Sequence, residues 1–144
     1  MRFGYWGLVV LVTSAVLWGC SKLGDANETA SGIQNVMTLE EGLLGGSRPS
    51  QNGFQWLRSQ GIKTVIDLRQ PEEGTEADRV IAESQGLQYR NVPVSREGLA
   101  QGQLDPAVTE ALKEESLRPA FVYCASGNRV SMTWKIYQEK NKIG

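Results

Sequence analysis

The sequence predicts an α/β domain, a three-layer sandwich around a mostly parallel central sheet of about four to five strands. Short apolar runs of strand length alternate with segments of helical periodicity along most of the chain. Helix-capping residues or glycines mark the ends of these segments. A length of 144 residues suffices for one domain with a hydrophobic core, and the sequence contains no internal repeat.

The first predicted elements are strands followed by a helix. Residues 36–47, "VMTLEEGLLGGS", predict one or two short strands that end at the paired glycines. Ser50 is a suitable N-cap for a helix that runs through Gln60, and Gly61 is a suitable residue to end it. The chain therefore passes from a strand directly into a capped helix.

The middle of the chain continues the alternation. The apolar, β-branched run from Lys63 to Leu68, "KTVIDL", predicts a strand buried on both faces. Thr75 and Asp78 have the spacing of a capping box at the start of a helix that ends at Gly86. The side of this helix predicted to face the sheet carries Ala77, Val80, Ile81 and Ala82.

Two more strands and two more helices complete the pattern. Leu87 to Val94 predicts a strand, and Asp105 is an N-cap before Pro106 at the first position of a helix. The run from Pro119 to Cys124, "PAFVYC", predicts another buried strand. The helix that follows has an apolar stripe of Val130, Trp134 and Tyr137.

Residues 1–19 are predicted to be a signal peptide of the lipoprotein type. One arginine precedes an almost wholly apolar run, which "LWGC" closes at Cys20. This motif resembles a bacterial lipobox, in which the signal is cleaved before the cysteine and the thiol is modified with lipid. Residues 20–34 are then a flexible tether and residues 35–144 the domain.

Two alternatives remain for the N-terminus, a plain signal peptide cut nearby and an uncleaved anchor helix. All three interpretations place the domain outside the cytoplasm. The lipoprotein interpretation predicts a membrane-anchored protein that faces the periplasm or the extracellular side.

The composition excludes several classes of function. Lysine and arginine number 15 against 16 acidic residues, so no overall field attracts nucleic acid. The chain has no histidine, which removes histidine-based zinc sites and Ser-His-Asp triads. We find no metal-binding pattern and no cofactor motif, and the predicted site uses neither a metal nor a cofactor.

The stretch "YCASGNR" holds the candidate site, because it follows a predicted buried strand and precedes a helix. The backbone amides of such a turn, with the helix dipole, form a concave anion site. Arg129 could donate two hydrogen bonds to a bound oxyanion, and the same field favours the nucleophilic thiolate of Cys124. The predicted phosphate-binding residues are Ala125, Ser126, Gly127, Asn128 and Arg129. The alternative is a buried core cysteine followed by an ordinary turn.

Three segments carry a resemblance to a known family: "GGSRPSQNGFQWLRSQGIKTVIDLR", "AESQGLQYRNVPV" and "FVYCASGNRVSMTW". They resemble the small bacterial phosphatase-like family related to dual-specificity and tyrosine phosphatases. The domain of that family also occurs fused to β-lactamase-like hydrolases and to NAD kinases. The resemblance implies a cysteine phosphatase fold and hydrolysis of phosphoric monoesters through a phospho-cysteine on Cys124. It also implies that Asp67 and Arg69 shape the sheet edge nearby.

The loop departs from that of tyrosine phosphatases in two ways. Tyr123 stands where those enzymes have histidine, and the loop has one residue fewer between Cys124 and Arg129. This shorter spacing is also that of single-domain rhodaneses, which are sulfurtransferases with a persulfide on the cysteine. Sulfur transfer is therefore the second hypothesis, and a non-catalytic module that binds an anionic or phosphorylated partner is the third.

A phosphatase needs a general acid for the leaving oxygen, and the segment 95–106 is predicted to be the loop that supplies it. Glu97 and Asp105 are the candidates, although Asp105 is also explained as a helix N-cap. Four isolated arginines either widen a basic mouth or are solvated surface: Arg48, Arg79, Arg90 and Arg96. The predicted partner is a phosphorylated small molecule or a phosphoprotein.

Overall fold

The computed structural model describes residues 31–142, which contain a five-stranded sheet in the order β1-β2-β5-β3-β4. The β1 strand runs antiparallel to β2, and all the other neighbours are parallel. The strands are β1 (Met37–Glu40), β2 (Leu43–Ser47), β3 (Thr64–Asp67), β4 (Gln88–Asn91) and β5 (Ala120–Cys124). This architecture confirms the predicted mostly parallel α/β sheet.

Helices flank the sheet, and between residues 37 and 142 they are α1 (Gln51–Ser59), α2 (Thr75–Ser84), α3 (Arg96–Ala100), α4 (Pro106–Lys113) and α5 (Asn128–Asn141). Two 3₁₀ helices, Pro71–Glu73 and Glu115–Leu117, lie in the connections. As predicted, the Ser50 side chain accepts from the Gly53 amide, and the Asp105 side chain caps α4.

The two faces of the sheet bury separate hydrophobic clusters. Along β5, Phe121 and Tyr123 pack with side chains of α1 and α2. Val122 and Cys124 pack on the opposite face with side chains of α3, α4 and α5. Because side chains alternate along a strand, Cys124 lies on the face that α5 covers.

The sequence prediction for the buried side of α2 was right for Ile81 and Ala82 and wrong for Ala77 and Val80, which are exposed. Gly74, in the left-handed region with φ 86°, precedes the helix, and no side chain caps it. Asp78, predicted to complete a capping box, is fully buried, whereas Val80 is 56% exposed. The helix presents Asp78 to the interior because two arginines there bind its carboxylate.

The segment 95–106 was predicted to be a loop, and the structure corrects this prediction. Residues Arg96–Ala100 form α3, whose start is capped by the Ser95 side chain accepting from Gly98 N at 3.0 Å. Leu99 is buried in the cluster that also contains Val130 of α5. One buried leucine and one cap hold a helix too short to show a periodic pattern.

The packed part of the chain begins before residue 35, so the predicted tether does not extend to residue 34. Ile33 is 1% exposed and belongs to the core. The Gln34 carbonyl accepts from Ser47 N at 3.0 Å, and Gln34 N donates to Ser47 Oγ at 2.9 Å. The predicted signal peptide, Cys20 and the first part of the tether lie outside the described residues. Within residues 31–142, no helix combines the length and the hydropathy needed to cross a membrane.

Candidate active site

The loop between β5 and α5 bends around the thiol of Cys124. Gly127 N donates to Cys124 Sγ at 3.1 Å, and the thiol is buried, with the residue 1% exposed. Gly127 has φ 91°, and a Cβ on it would lie 3.4 Å from the backbone of Gly46. Glycine is favoured here because L side chains rarely adopt this left-handed conformation, whereas the added Cβ would make only an ordinary contact.

The carbonyl groups of this loop are held by the edge of the sheet. The Ala125 carbonyl accepts from Arg48 N at 3.3 Å, and the Ser126 carbonyl accepts from Asn35 Nδ2 at 3.0 Å. Within residues 31–142, the amides of Ala125 and Ser126 have no hydrogen-bond acceptor. Loop amides without an internal partner, next to a helix N-terminus, are the donors that bind an oxyanion.

Arg129 is one residue into α5 and forms a forked pair with Glu73. Its Nη1 donates to Glu73 Oε2 at 2.8 Å and its Nη2 to Glu73 Oε1 at 2.5 Å. The guanidinium lowers the pKa of Glu73 to about 2, and the carboxylate raises the pKa of Arg129. Nε of Arg129 has no acceptor within residues 31–142, so donor capacity remains for a ligand.

Glu73 was not identified from the sequence as a site residue. In the structure, two hydrogen bonds fix its position. Gln70 N donates to Glu73 Oε2 at 2.7 Å, and Arg69 Nη1 donates to the Glu73 carbonyl at 3.1 Å. The segment "RQPEEG" follows β3 at the same sheet edge as the cysteine loop. An acidic residue in that segment was the available signal, because adjacent parallel strands end together.

A buried ionic network lies beside this segment. Asp67 and Asp78 are fully buried, and Arg69 bridges them. Arg69 Nη2 lies 2.7 Å from Asp67 Oδ2 and 2.6 Å from Asp78 Oδ2. The resemblance implied that Asp67 and Arg69 lie at this sheet edge, and in the structure they do. Their ion pair supports the Glu73 segment, because Arg69 also donates to the Glu73 carbonyl.

Three further side chains complete this network. Arg48 donates from Nε and Nη2 to the Asp78 carboxylate, with the shortest distance 2.6 Å. Tyr123 Oη donates to Asp78 Oδ2 at 3.1 Å, and Tyr89 Oη donates to Asp67 Oδ2 at 2.9 Å. Burial, together with the neighbouring carboxylates, raises the pKa of Tyr123. Tyr123 is therefore a structural hydrogen-bond donor on the face opposite Cys124.

Between residues 31 and 142, two clefts that open beside Arg129 are formed. One, of about 510 Å³, is lined by residues that include Glu73, Arg96, Glu97 and Arg129. The other, of about 330 Å³, is lined by residues of the cysteine loop together with Arg96, Leu99, Arg129 and Met132. The structure thus brings Glu97 into the cleft of Arg129.

Asp105 has a different environment from Glu97. Its carboxylate accepts from Ala107 N at 2.8 Å and lines a separate cleft, which does not include Arg129. Of the two acid candidates, Glu97 is therefore the one that shares a cleft with the loop arginine. No group of three or more potential metal-ligating side chains occurs among the described residues.

Comparison with known families decides the relationship of this chain. The sequence model of a family described as "DSP-PTPase phosphatase fused to NAD+ Kinase" matches residues 20–140. The chain belongs to this phosphatase family. The resemblance carried by the three sequence segments is confirmed. No curated protein matches the chain.

Solved structures place this family member among cysteine phosphatase folds. A candidate phosphatase (DUF442) of Shewanella putrefaciens is 22% identical with a TM-score of 0.58, over 83% of this chain and 77% of that one. The core catalytic domain of the PP-IP phosphatase Siw14 from S. cerevisiae, in complex with citrate, is 19% identical with a TM-score of 0.59, over 75% and 67%. At these identities the likeness is one of fold, and it confirms the predicted cysteine phosphatase architecture.

Proposed function

We propose that this chain hydrolyses phosphoric monoesters through a phospho-cysteine intermediate on Cys124. The main support is the geometry of the loop. The Cys124 sulfur accepts a hydrogen bond from the Gly127 amide at 3.1 Å, and the Glu73 carboxylate orients the Arg129 guanidinium. A nucleophile beside preorganised donors is the arrangement that lowers the barrier to phosphoryl transfer. The substrate is a phosphorylated small molecule or a phosphoprotein.

In the first step, Cys124 attacks as the thiolate. A bond forms from Sγ to phosphorus while the bond from phosphorus to the ester oxygen breaks. Glu97, in its protonated form, donates its proton to the leaving oxygen, and a neutral alcohol departs. Arg129 and the amides of residues 125–128 hold the non-bridging oxygens as charge redistributes.

In the second step, water releases the phosphate. The Glu97 carboxylate accepts a proton from water as the water oxygen bonds to phosphorus and the bond from sulfur to phosphorus breaks. Inorganic phosphate leaves, the Cys124 thiolate is regenerated and Glu97 is again protonated.

A paired assay on the purified chain and on Cys124→Ser tests this chemistry. One arm measures phosphate release from p-nitrophenyl phosphate, and the other measures thiocyanate formation from thiosulfate and cyanide. We expect phosphate release that falls to background in Cys124→Ser, and a mass increase of one phosphoryl group on Cys124 after an acid quench. Arg79→Ala, which changes a surface pair, is the control and should retain activity.

The two arms separate the hypotheses. Thiocyanate formation that depends on Cys124, without phosphate release, would replace the proposal by sulfur transfer through a persulfide. Phosphate and thiocyanate both at the Cys124→Ser background would contradict enzymatic turnover and leave a binding module.

The choice of general acid is tested with isosteric variants. Glu97→Gln should lower kcat about 100-fold for an alkyl phosphate, and much less for p-nitrophenyl phosphate, whose leaving group needs no proton. Asp105→Asn keeps an N-cap residue and should leave both rates unchanged. The opposite pattern would assign the acid to Asp105.

The N-terminus carries a separate part of the proposal, a lipid on Cys20 that anchors the domain at a membrane outside the cytoplasm. The apolar run that ends in "LWGC" is its support. Metabolic labelling with palmitate should be lost in Cys20→Ala and retained in Cys124→Ala. A label that persists in Cys20→Ala would rule out the lipoprotein interpretation.

A further inference from the structure

The four arginines that the sequence left without a role fall into two groups in the structure. Arg48 pairs with Asp78, Arg79 with Glu76 and Glu83, and Arg90 with Glu114. Arg96, by contrast, forms no ion pair with any residue between positions 31 and 142. Its charge is therefore not matched by a carboxylate within the described domain.

Arg96 lies at the clefts beside the candidate site. It is the first residue of α3 and lines both clefts that open beside Arg129. The helix is fixed beneath it, since Ser95 caps α3 and Leu99 is 5% exposed in the core. A short helix held at two points keeps the Arg96 backbone in place while its side chain stays exposed.

The charges around the clefts make Arg96 the distinctive group. Glu73 matches the charge of Arg129, so that arginine contributes directed hydrogen bonds rather than a net positive field. Glu97 is the remaining carboxylate of these clefts. No ion pair joins Glu97 to Arg96 within residues 31–142, so the Arg96 guanidinium is the cation of these clefts that has no carboxylate partner.

We propose that Arg96 binds a second anionic group of the substrate, and that the preferred substrate is a compact molecule with two phosphate groups close together. One phosphate occupies the loop of residues 124–129, and the other meets the Arg96 guanidinium across the shared cleft. The inference rests on the proposed function in that one phosphate is taken to occupy the Cys124 loop. A monophosphate would leave Arg96 solvated.

Binding measurements on the full chain with Cys124→Ser test this inference without turnover. The probes are inorganic phosphate and pyrophosphate, measured by calorimetry at one fixed ionic strength. We expect pyrophosphate to bind more tightly than phosphate. Adding Arg96→Ala should weaken pyrophosphate about five- to ten-fold and phosphate by less than about two-fold. Arg96→Lys should recover part of the preference, because it keeps the charge without the planar fork.

Arg58→Ala is the matched control for the loss of one exposed positive charge. Arg58 is an exposed arginine of α1 that also forms no ion pair within residues 31–142, and it lines neither cleft. It should leave the preference for pyrophosphate unchanged. An equal drop in Arg58→Ala would show a general field effect and overturn the proposal.

Three further binding results would contradict the role proposed for Arg96. The proposal fails if Arg96→Ala weakens both probes equally, if it weakens neither, or if neither probe binds. Failure of the proposed function has a different signature. In that case phosphate and pyrophosphate bind with the expected preference, while the chain with intact Cys124 releases no phosphate from any ester.

Discussion

Arg69 and Arg129 both bind a carboxylate in a forked geometry, but they differ in how many guanidinium N–H donors remain without an acceptor. Arg69 donates from Nε and both η nitrogens, to Asp67, Asp78 and the Glu73 carbonyl. Arg129 donates from its two η nitrogens to Glu73 alone, and Nε has no acceptor within residues 31–142. All three nitrogens of Arg69 donate to protein acceptors, which is what we call a saturated group, whereas Arg129 retains the Nε donor for a ligand.

The two arginines also differ in how far their carboxylate partners are buried. The carboxylates of Asp67 and Asp78 are inaccessible to solvent, whereas the Glu73 side chain is 32% exposed. A saturated pair out of water maintains structure, because breaking it leaves a buried charge uncompensated. A pair at a cleft orients an arginine and still allows the ligand to reach it. Burial and spare donors, rather than the residue types, distinguish the two roles.

The largest effect is expected from Asp78→Ala. The change removes the carboxylate that accepts from Arg48, Arg69 and Tyr123, and should lower the free energy of unfolding by about 3–5 kcal/mol. Urea denaturation measures it. Glu76→Ala, which alters an exposed pair of the same helix, should leave the urea midpoint unchanged. Equal urea midpoints for Asp78→Ala and Glu76→Ala would contradict the structural role assigned to the buried network.

Asn35→Ala should cause the second-largest loss of stability, because two destabilising effects add. Ser126 loses the donor to its carbonyl, and alanine must adopt the left-handed backbone with φ 53°. We expect a loss of about 2 kcal/mol in unfolding free energy and weaker phosphate binding. Asn35→Gly loses the same donor without the backbone strain, and should lose about half as much stability. Phosphate affinity that is unchanged in both variants would show that Asn35 does not position the loop.

Glu73→Gln should alter activity more than stability. Solvent screens a carboxylate that is about a third exposed, so the unfolding free energy should change by less than about 1 kcal/mol. The orientation of Arg129 is weakened, and kcat should fall about ten-fold. KM should stay constant or fall, because a negative charge beside the phosphate is removed. A rise in KM at constant kcat would instead assign Glu73 to substrate binding.

The smallest effect is a dependence of stability on acid pH. The folded-state pKa of Glu73 is lowered to about 2 from an ordinary value of 4.5, so the carboxylate stabilises the fold fully above pH 4.5. That contribution is lost as the pH falls from 4.5 to about 2. Urea denaturation at several pH values should show this dependence weakened in Glu73→Gln. An identical dependence in both proteins would contradict the lowered pKa.

Local chemistry explains the parts of the fold that were predictable. Ser50 and Asp105 cap helices through hydrogen bonds to amides two or three residues away, and such caps are visible in the sequence. The apolar runs that became β3 and β5 have strand length and are buried on both faces. The cysteine loop was located for the same reason, since it joins one such strand to a helix.

The failed predictions depend on distant partners. Asp78 has the local spacing of a cap, but two arginines 9 and 30 residues away make burial of its carboxylate more favourable. Helix α3 is one turn long and is held by its cap and by the packing of Leu99. The burial of Asp78 leaves no local signal because its partners lie in other parts of the chain, and α3 is too short to show a helical period.

The order of residues along the chain is enough to show that a cysteine and an arginine bracket a glycine-containing turn, and to predict a buried strand before it. The residues that surround this turn follow from the three-dimensional fold. The Arg129 partner Glu73 is 56 residues away, and the Ser126 partner Asn35 is 91 residues away. They meet because β5 lies between β2 and β3, and the antiparallel β1, which follows Asn35, begins at the edge where these three parallel strands end. Hydrogen bonds between such distant residues follow from strand order, which local propensity does not encode.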